Sequence, residues 1–227
     1  MARRGLTSAD GAGPFHSMLY KEANALKIRV TLPEIEPPVR RQLVVPWTWH
    51  LGQLHLAIQA AFNWWNCHLH EFNIGGRRCG DFELGEGDFP DGPRLFDERE
   101  VRLLDFDRGE VAPFIYLYDF GDCWRHTIEI AQLLALDTTP RVATCVAGAR
   151  ARPPEDVGGF DGYERFLAIM ADRNDPEHTD MKQWCGGHFD PDWFDLTRTD
   201  KDVKNALKAD VRRRLHQPKP GRGIPAS

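Results

Sequence analysis

Three short blocks of the sequence gather residue types that can bind metal or move protons. The first is His68-Leu69-His70-Glu71-Phe72. On an extended strand, residues two apart face the same way, so His68 and His70 would converge on one point, with Glu71 beside them. A His-x-His pair of this kind suits zinc, iron, nickel or copper, because neutral imidazole is a good ligand for each. The bland alternative is a histidine at the edge of the core, satisfied by a neighbouring carboxylate.

The second block runs Tyr118-Asp-Phe-Gly-Asp-Cys-Trp-Arg-His126. Asp119 and Asp122 flank a turn, and His126 follows on the next strand. Such a set could hold a divalent cation or orient a base. Aspartates also favour turns simply by bonding their own backbone. The third block is Pro153-Pro-Glu-Asp-Val-Gly-Gly159, where a stiff double proline presents Glu155 and Asp156 from a rigid loop. The expected cleft therefore consists of His68, His70, Glu71, Asp119, Asp122, His126, Glu155 and Asp156. Its metal ligands would be His68, His70, Asp122 and His126, and a divalent metal is the cofactor such a set would take.

These residues need elements to position them. Ala25 to Leu32 alternates apolar and polar, the pattern of a half-buried strand, and Pro37-Pro38 breaks the chain before a returning strand over 39–45. Leu51, Leu54, Ile58, Ala61, Phe62 and Trp65 recur at helical spacing. Glu71 to Ile74 reads as a short strand, and 82–104 as turns with short strands at best. Phe114 to Phe120 is apolar on both faces, as a central strand should be. Gly121-Asp122 then turns the chain into a strand that places Trp124, His126, Ile128 and Ile130 on one face. Cys145, on a further strand, reads as a buried thiol. Helical patterns follow at 162–171, 177–184 and 201–216. Hairpins first and helices later imply an α+β fold with a mainly antiparallel sheet and a helical C-terminal part, in one domain over residues 19–216. Residues 1–18 and 217–227 read as flexible tails.

Composition narrows the classes. The chain has 227 residues, 41% hydrophobic and 28% charged, which fits a globular domain. A net charge of −5 gives no global attraction to nucleic acid. There is no apolar run long enough for a membrane helix and no signal-peptide pattern, and the five scattered cysteines suit a reducing cytoplasm. Serine occurs only at 8, 17 and 227, which leaves no serine nucleophile for the core. No phosphate-binding glycine loop is present. Cys185 and His188 form a single Cys-x-x-His pair, half of what a structural zinc needs. Near the C-terminus, Lys204, Lys208, Arg212 and Arg213 would line one basic helix able to touch nucleic acid, although Asp202 and Asp210 interrupt it.

Taken in order, several blocks resemble the plasmid pRiA4b ORF-3-like family. They are Leu26 to Leu32 with the following Pro-Pro, His68 to Phe72 with Gly75-Gly76, and Tyr118 to Asp122 with Trp124 and His126. Cys145 with Gly148, Pro153 to Asp156 with Gly158-Gly159, and Phe189-Asp190 complete the set. The resemblance spans about Ala25 to Leu196 and departs at Cys123, where the family pattern has glycine. It implies an α+β fold with a curved, mostly antiparallel sheet, and a setting on plasmids and mobile elements. It implies no catalytic residues. Relatives carry the label transposon resolvase, yet neither recombinase chemistry fits: the core has no serine, and no histidine has arginine three positions on. The leading expectation is a non-catalytic binding or accessory domain. A metal-dependent hydrolase and a DNA-contacting accessory protein are the alternatives.

Overall fold

The computed structural model describes residues 23–81, 94–105, 112–208 and 213–219. Alternation builds the first hairpin: Ala25–Leu32 (β1) and Val39–Pro46 (β2) pair antiparallel from Ala25↔Pro46 to Leu32↔Val39. Leu26, Ile28, Val30 and Leu32 are all buried, as their shared face requires. On β2 the inward residues are Val39, Arg41, Leu43 and Val45, so an arginine sits in an otherwise apolar row.

Leu51–Phe62 (α1) follows, opened by a capping box in which His50 and Gln53 bond each other's backbone N–H. It ends at Asn63, whose φ of 60° no longer fits a helix. The helical spacing predicts a continuation to Trp65, but this cap stops it, and Trp64 instead turns fully into the core. There its ring packs 5.3 Å from Tyr118 and 5.8 Å from Trp124.

His70–Ile74 (β3) and Arg77–Gly80 (β4) form a hairpin around Gly75 and Gly76, both at positive φ. Two such residues are what a tight hairpin turn demands. β4 is a strand without strand-forming composition, which is why alternation does not reveal it. Leu95–Asp97 (β5) joins β4 in parallel. Phe114–Tyr118 (β6) and Trp124–Leu134 (β7) form the predicted central hairpin, and Thr144–Ala149 (β8) pairs with β2. The result is an open eight-stranded sheet in the order β5-β4-β3-β6-β7-β1-β2-β8, antiparallel except at β4/β5. Helix α1 crosses one face. Its Gln59 donates to Tyr116 Oη on β6, and its Ala61 carbonyl accepts from Arg41 on β2.

Three more helices follow: Gly159–Ala171 (α2), His178–Trp184 (α3) and Leu196–Lys204 (α4). The fold is thus α+β in a single domain, as the strand-then-helix order implies. The last helix is a correction. It spans Leu196–Lys204 rather than 201–216, because Asp195 caps its start by accepting from Arg198 N and Asn205 ends it. Residues 213–219 have no regular structure. Asn63 bonds both backbone groups of Arg214, and Gln217 exchanges two hydrogen bonds with the Asp190 backbone. The tail expected from residue 1 lies outside the described residues through Met18, as does 220–227. No helix among the described residues is long and apolar enough to cross a membrane.

Candidate functional site

Three loops meet beyond the ends of β6 and β7: residues 63–69 after α1, the 119–123 turn, and 150–158 before α2. Each holds at least one non-glycine residue in the left-handed region, namely Asn63, Asn66, Asp119, Cys123, Arg150 and Asp156, with φ between 56° and 66°. Such residues are uncommon and collect where neighbouring structure over-determines the backbone. In the 119–123 turn the Asp119 side chain explains part of this, since Oδ1 accepts from Gly121 N at 2.9 Å and Asp122 N at 3.3 Å.

That arrangement leaves Asp119 Oδ2 facing His68, at 3.6 Å from Nε2, while Asp156 Oδ1 stands 3.1 Å from the same nitrogen. Neither contact is aligned as a hydrogen bond, and Nε2 is buried with no hydrogen-bond partner. Donor atoms of His68, Asp119 and Asp156 all lie within 4.8 Å of one another, and so do those of Cys67, His68 and Glu155. Glu155 is 3% exposed. Its Oε1 accepts from Trp65 N at 2.5 Å and from Tyr118 Oη at 3.5 Å, whereas Oε2 has no partner. Burial raises the pKa of Glu155, against the pull of the Arg152 charge and the Trp65 N–H.

The other expected site residues go elsewhere. His70 does not converge with His68, because strand pairing begins only at His70↔Tyr118 and His68 precedes it in a loop. Nε2 of His70 bonds Glu98 Oε2 at 2.7 Å, and its ring stacks on His55 with centroids 3.5 Å apart. His55 in turn accepts at Nδ1 from Tyr116 Oη and donates at Nε2 to Asn66. His126 is fully buried. Its Nε2 accepts from Trp64 Nε1 at 3.1 Å and its Nδ1 faces the carbonyls of Tyr116 and Trp124, so no lone pair is left for a metal. Burial holds its pKa down to about 3. Asp122 accepts from Gly158 N and ties the turn to the third loop, and Glu71 pairs with Arg78 at 2.6 Å. Of the eight cleft residues, Asp119 and Asp156 come together with His68, and Glu155 meets His68 beside Cys67.

The basic residues form no stripe along a helix. Lys204 pairs with Asp200 at 2.6 Å, Lys208 is exposed beyond the end of α4, Arg213 is half-buried, and Arg212 lies outside the described residues. All five cysteines are free. Cys145 is buried, with its thiol pushed up to about 11 by desolvation, and Cys185 donates to the Lys182 carbonyl instead of joining His188.

Sequence reasoning gives no hint of the cavity beside this cluster. About 310 Å³ of space lies between the end of α1, the 150–158 loop, the end of α3 and residues 214–218. Glu155 and Asp156 form its acidic edge; Arg41, Arg152, Trp65, Trp184, Phe189 and Trp193 supply cationic and aromatic walls. Arg41 is 4% exposed and makes four hydrogen bonds, to the carbonyls of Arg40, Ala61, Ala149 and Arg150. Its guanidinium lies over the rings of Phe62 and Phe194. Arg152 lies over Trp64 and donates to the carbonyls of Pro153 and Asn63. Among the described residues no carboxylate stands within ion-pair distance of either arginine. The inward register of Arg41 between Val39 and Leu43 is readable in the sequence, but it marks a buried cation and not a cavity.

The sequence pattern of the plasmid pRiA4b ORF-3-like proteins matches residues 24–198. The chain belongs to this family. An uncharacterized protein, y4hQ, of Sinorhizobium fredii (strain NBRC 101917 / NGR234) is 41% identical over 170 residues, covering 72% of this chain and 82% of its own. The crystal structure of a protein of unknown function, MM3350 from Methanosarcina mazei Go1, superimposes with a TM-score of 0.67 at 32% identity. The match covers 79% of this chain and 97% of that one. Neither of these names states an activity, so a function has to be argued from the cavity and the cluster.

Proposed function

We propose that the chain is a non-catalytic binding domain whose cavity takes a small anionic ligand with a flat, apolar body. One observation carries this reading: Arg41 is a buried cation in the cavity wall whose partners are all neutral. Carbonyl oxygens satisfy its N–H groups without cancelling its charge, and burial lowers its pKa only to about 10, so it stays charged at neutral pH. A buried charge is normally paired, and an anionic ligand would supply the missing counter-charge. The tryptophans beside it offer stacking surface for a planar body. The plasmid in the family's description supports a role accessory to mobile elements, and the free cysteines support a reducing, cytoplasmic setting.

Anilinonaphthalene sulfonate, an anionic fluorescent probe, tests the reading against its neutral counterpart, N-phenylnaphthylamine. The expected result is saturable binding of one sulfonate per natively folded chain, at least tenfold tighter than the neutral probe. Trp184→Ala, at an exposed wall position, should weaken it several-fold. Equal binding of the two probes, or none of either, would sink the reading.

The hydrolase alternative has one favourable observation, the His68 cluster at the edge of the same cavity. Water activated by an ion there would meet a phosphoester held near Arg152. Turnover of bis(p-nitrophenyl) phosphate that Asp156→Asn abolishes would favour hydrolysis over binding alone. No turnover by zinc- or manganese-loaded protein would remove it.

A further inference from the structure

We propose that the loops at the acidic edge of the cavity form a divalent-metal site at His68, with Asp119 and Asp156 as its carboxylate ligands, Glu155 approaching His68 from the Cys67 side, and Zn²⁺ as an ion it takes. The proposal is independent of the anion reading, because it uses different atoms and a different probe.

The geometry around His68 is that of donors waiting for a shared partner. Two donors bound to one ion at about 2.1 Å sit about 3.0 Å apart at octahedral angles and about 3.4 Å apart at tetrahedral ones. His68 Nε2 lies 3.1 Å from Asp156 Oδ1, inside that range, and 3.6 Å from Asp119 Oδ2, just above it. An ordinary imidazole–carboxylate pair looks different, and this molecule contains one. Two residues away, His70 Nε2 meets Glu98 Oε2 in an aligned hydrogen bond of 2.7 Å. His68 has two carboxylates at hand and is aligned on neither.

Glu155 gives a second, separate indication. It is 3% exposed, its carboxylate belongs to the donor group that includes His68 and Cys67, and its Oε2 has no hydrogen-bond partner. A buried carboxylate oxygen without a partner is rare and calls for a positive group that completes its shell. The site is also held in place. Oε1 of Glu155 is fixed by Trp65 N, and Asp119 is fixed through Oδ1 by its own turn, which leaves one oxygen of each for an ion. One imidazole with several carboxylates is a donor set that divalent zinc accepts. Zinc also binds nitrogen and oxygen donors more tightly than manganese or iron(II), which makes it the sensitive probe.

Untagged full-length protein, stripped with EDTA and dialysed, would be titrated with Zn²⁺ by calorimetry, with the bound metal counted by inductively coupled plasma mass spectrometry. The expected result is close to one Zn²⁺ per chain. Binding should weaken at least tenfold in Asp156→Asn, His68→Ala and Glu155→Gln. Asp122→Asn, whose carboxylate faces Gly158 N rather than His68, should bind as the unaltered protein does. Asp156 is 61% exposed, so its variant keeps its fold, and an unchanged melting temperature of the stripped protein checks that. No zinc uptake by stripped, cooperatively melting protein would overturn the proposal. So would Asp156→Asn and His68→Ala variants that bind as tightly as Asp122→Asn.

Discussion

The loop around His68 and the sheet face around His70 and His126 begin from the same residue type and reach opposite chemistry. On the sheet face each of these histidines is held through a ring nitrogen. Trp64 donates to His126, Glu98 pairs with His70, and Tyr116 donates to His55. These histidines close hydrogen-bond accounts inside a packed core, where an unmade bond is costly. In the loops, His68 Nε2 and Glu155 Oε2 are buried without a hydrogen-bond partner, and Asp119 and Asp156 face His68 with no aligned bond. Regular pairing satisfies polar groups by construction. Irregular loops can leave them over, and the leftover groups are what a ligand can use.

That contrast breaks most visibly on the sheet side. Glu98→Ala strips the partner from His70, and both side chains of the pair are less than 10% exposed. Removing one partner of a buried pair costs about 3–5 kcal/mol. For a domain of this size that lowers the melting temperature by roughly 10 °C, read by circular dichroism. A drop of less than about 3 °C would show that the pair is not structural. His126→Ala leaves the Trp64 N–H unpaired above a cavity, and about 3 kcal/mol should be lost.

The same histidine sharpens the comparison through pH. Its pKa falls from 6.5 in the unfolded chain to about 3 in the folded one. Between those values the unfolded chain binds a proton that the folded chain refuses, so stability rises with pH across this window and is lost on acidification from 6.5 towards 3. The slope from this one group reaches at most about 1.4 kcal/mol per pH unit. Melting temperatures from pH 7 to pH 4.5 should therefore fall more steeply for the unaltered protein than for His126→Ala. Parallel curves would mean that His126 is protonated inside the fold.

Smaller effects belong to the loops. Cys123 sits at φ 60°, in the left-handed region that glycine suits. Cys123→Gly relieves about 1–2 kcal/mol of backbone cost and gives back part of it as chain entropy. A gain of about 0.5–1 kcal/mol should appear as a higher urea midpoint with unchanged slope. Asp156→Asn, the smallest change, should move stability by less than about 0.5 kcal/mol without metal.

What the sequence made legible follows from periodicity. The alternation in 25–32 and 124–130 and the Gly121-Asp122 turn predict β1, β7 and the hairpin that joins β6 to β7, and all three are present. Cues of one or two residues carried less. His68-x-His70 reads as one face only if the strand includes both, and it begins at His70. The basic run after Lys201 reads as one helix only if Asn205 does not end it. The pairing of His68 with Asp119 and Asp156 was beyond reach, because those residues lie 51 and 88 positions further along the chain and only the folded loops bring them together. The cavity was equally hidden, since its walls come from segments scattered between Arg41 and Pro218.

The central claim is that His68 is free to bind while His55, His70 and His126 are committed to the fold. Long-range proton–nitrogen correlation spectra of the histidine rings, recorded on ¹⁵N-labelled protein before and after one equivalent of Zn²⁺, test it most directly. The expected result is a large shift of the His68 ring nitrogens, with the signals of His55, His70 and His126 staying in place. Zinc-dependent shifts at His70 or His126, or no shift at His68, would contradict it.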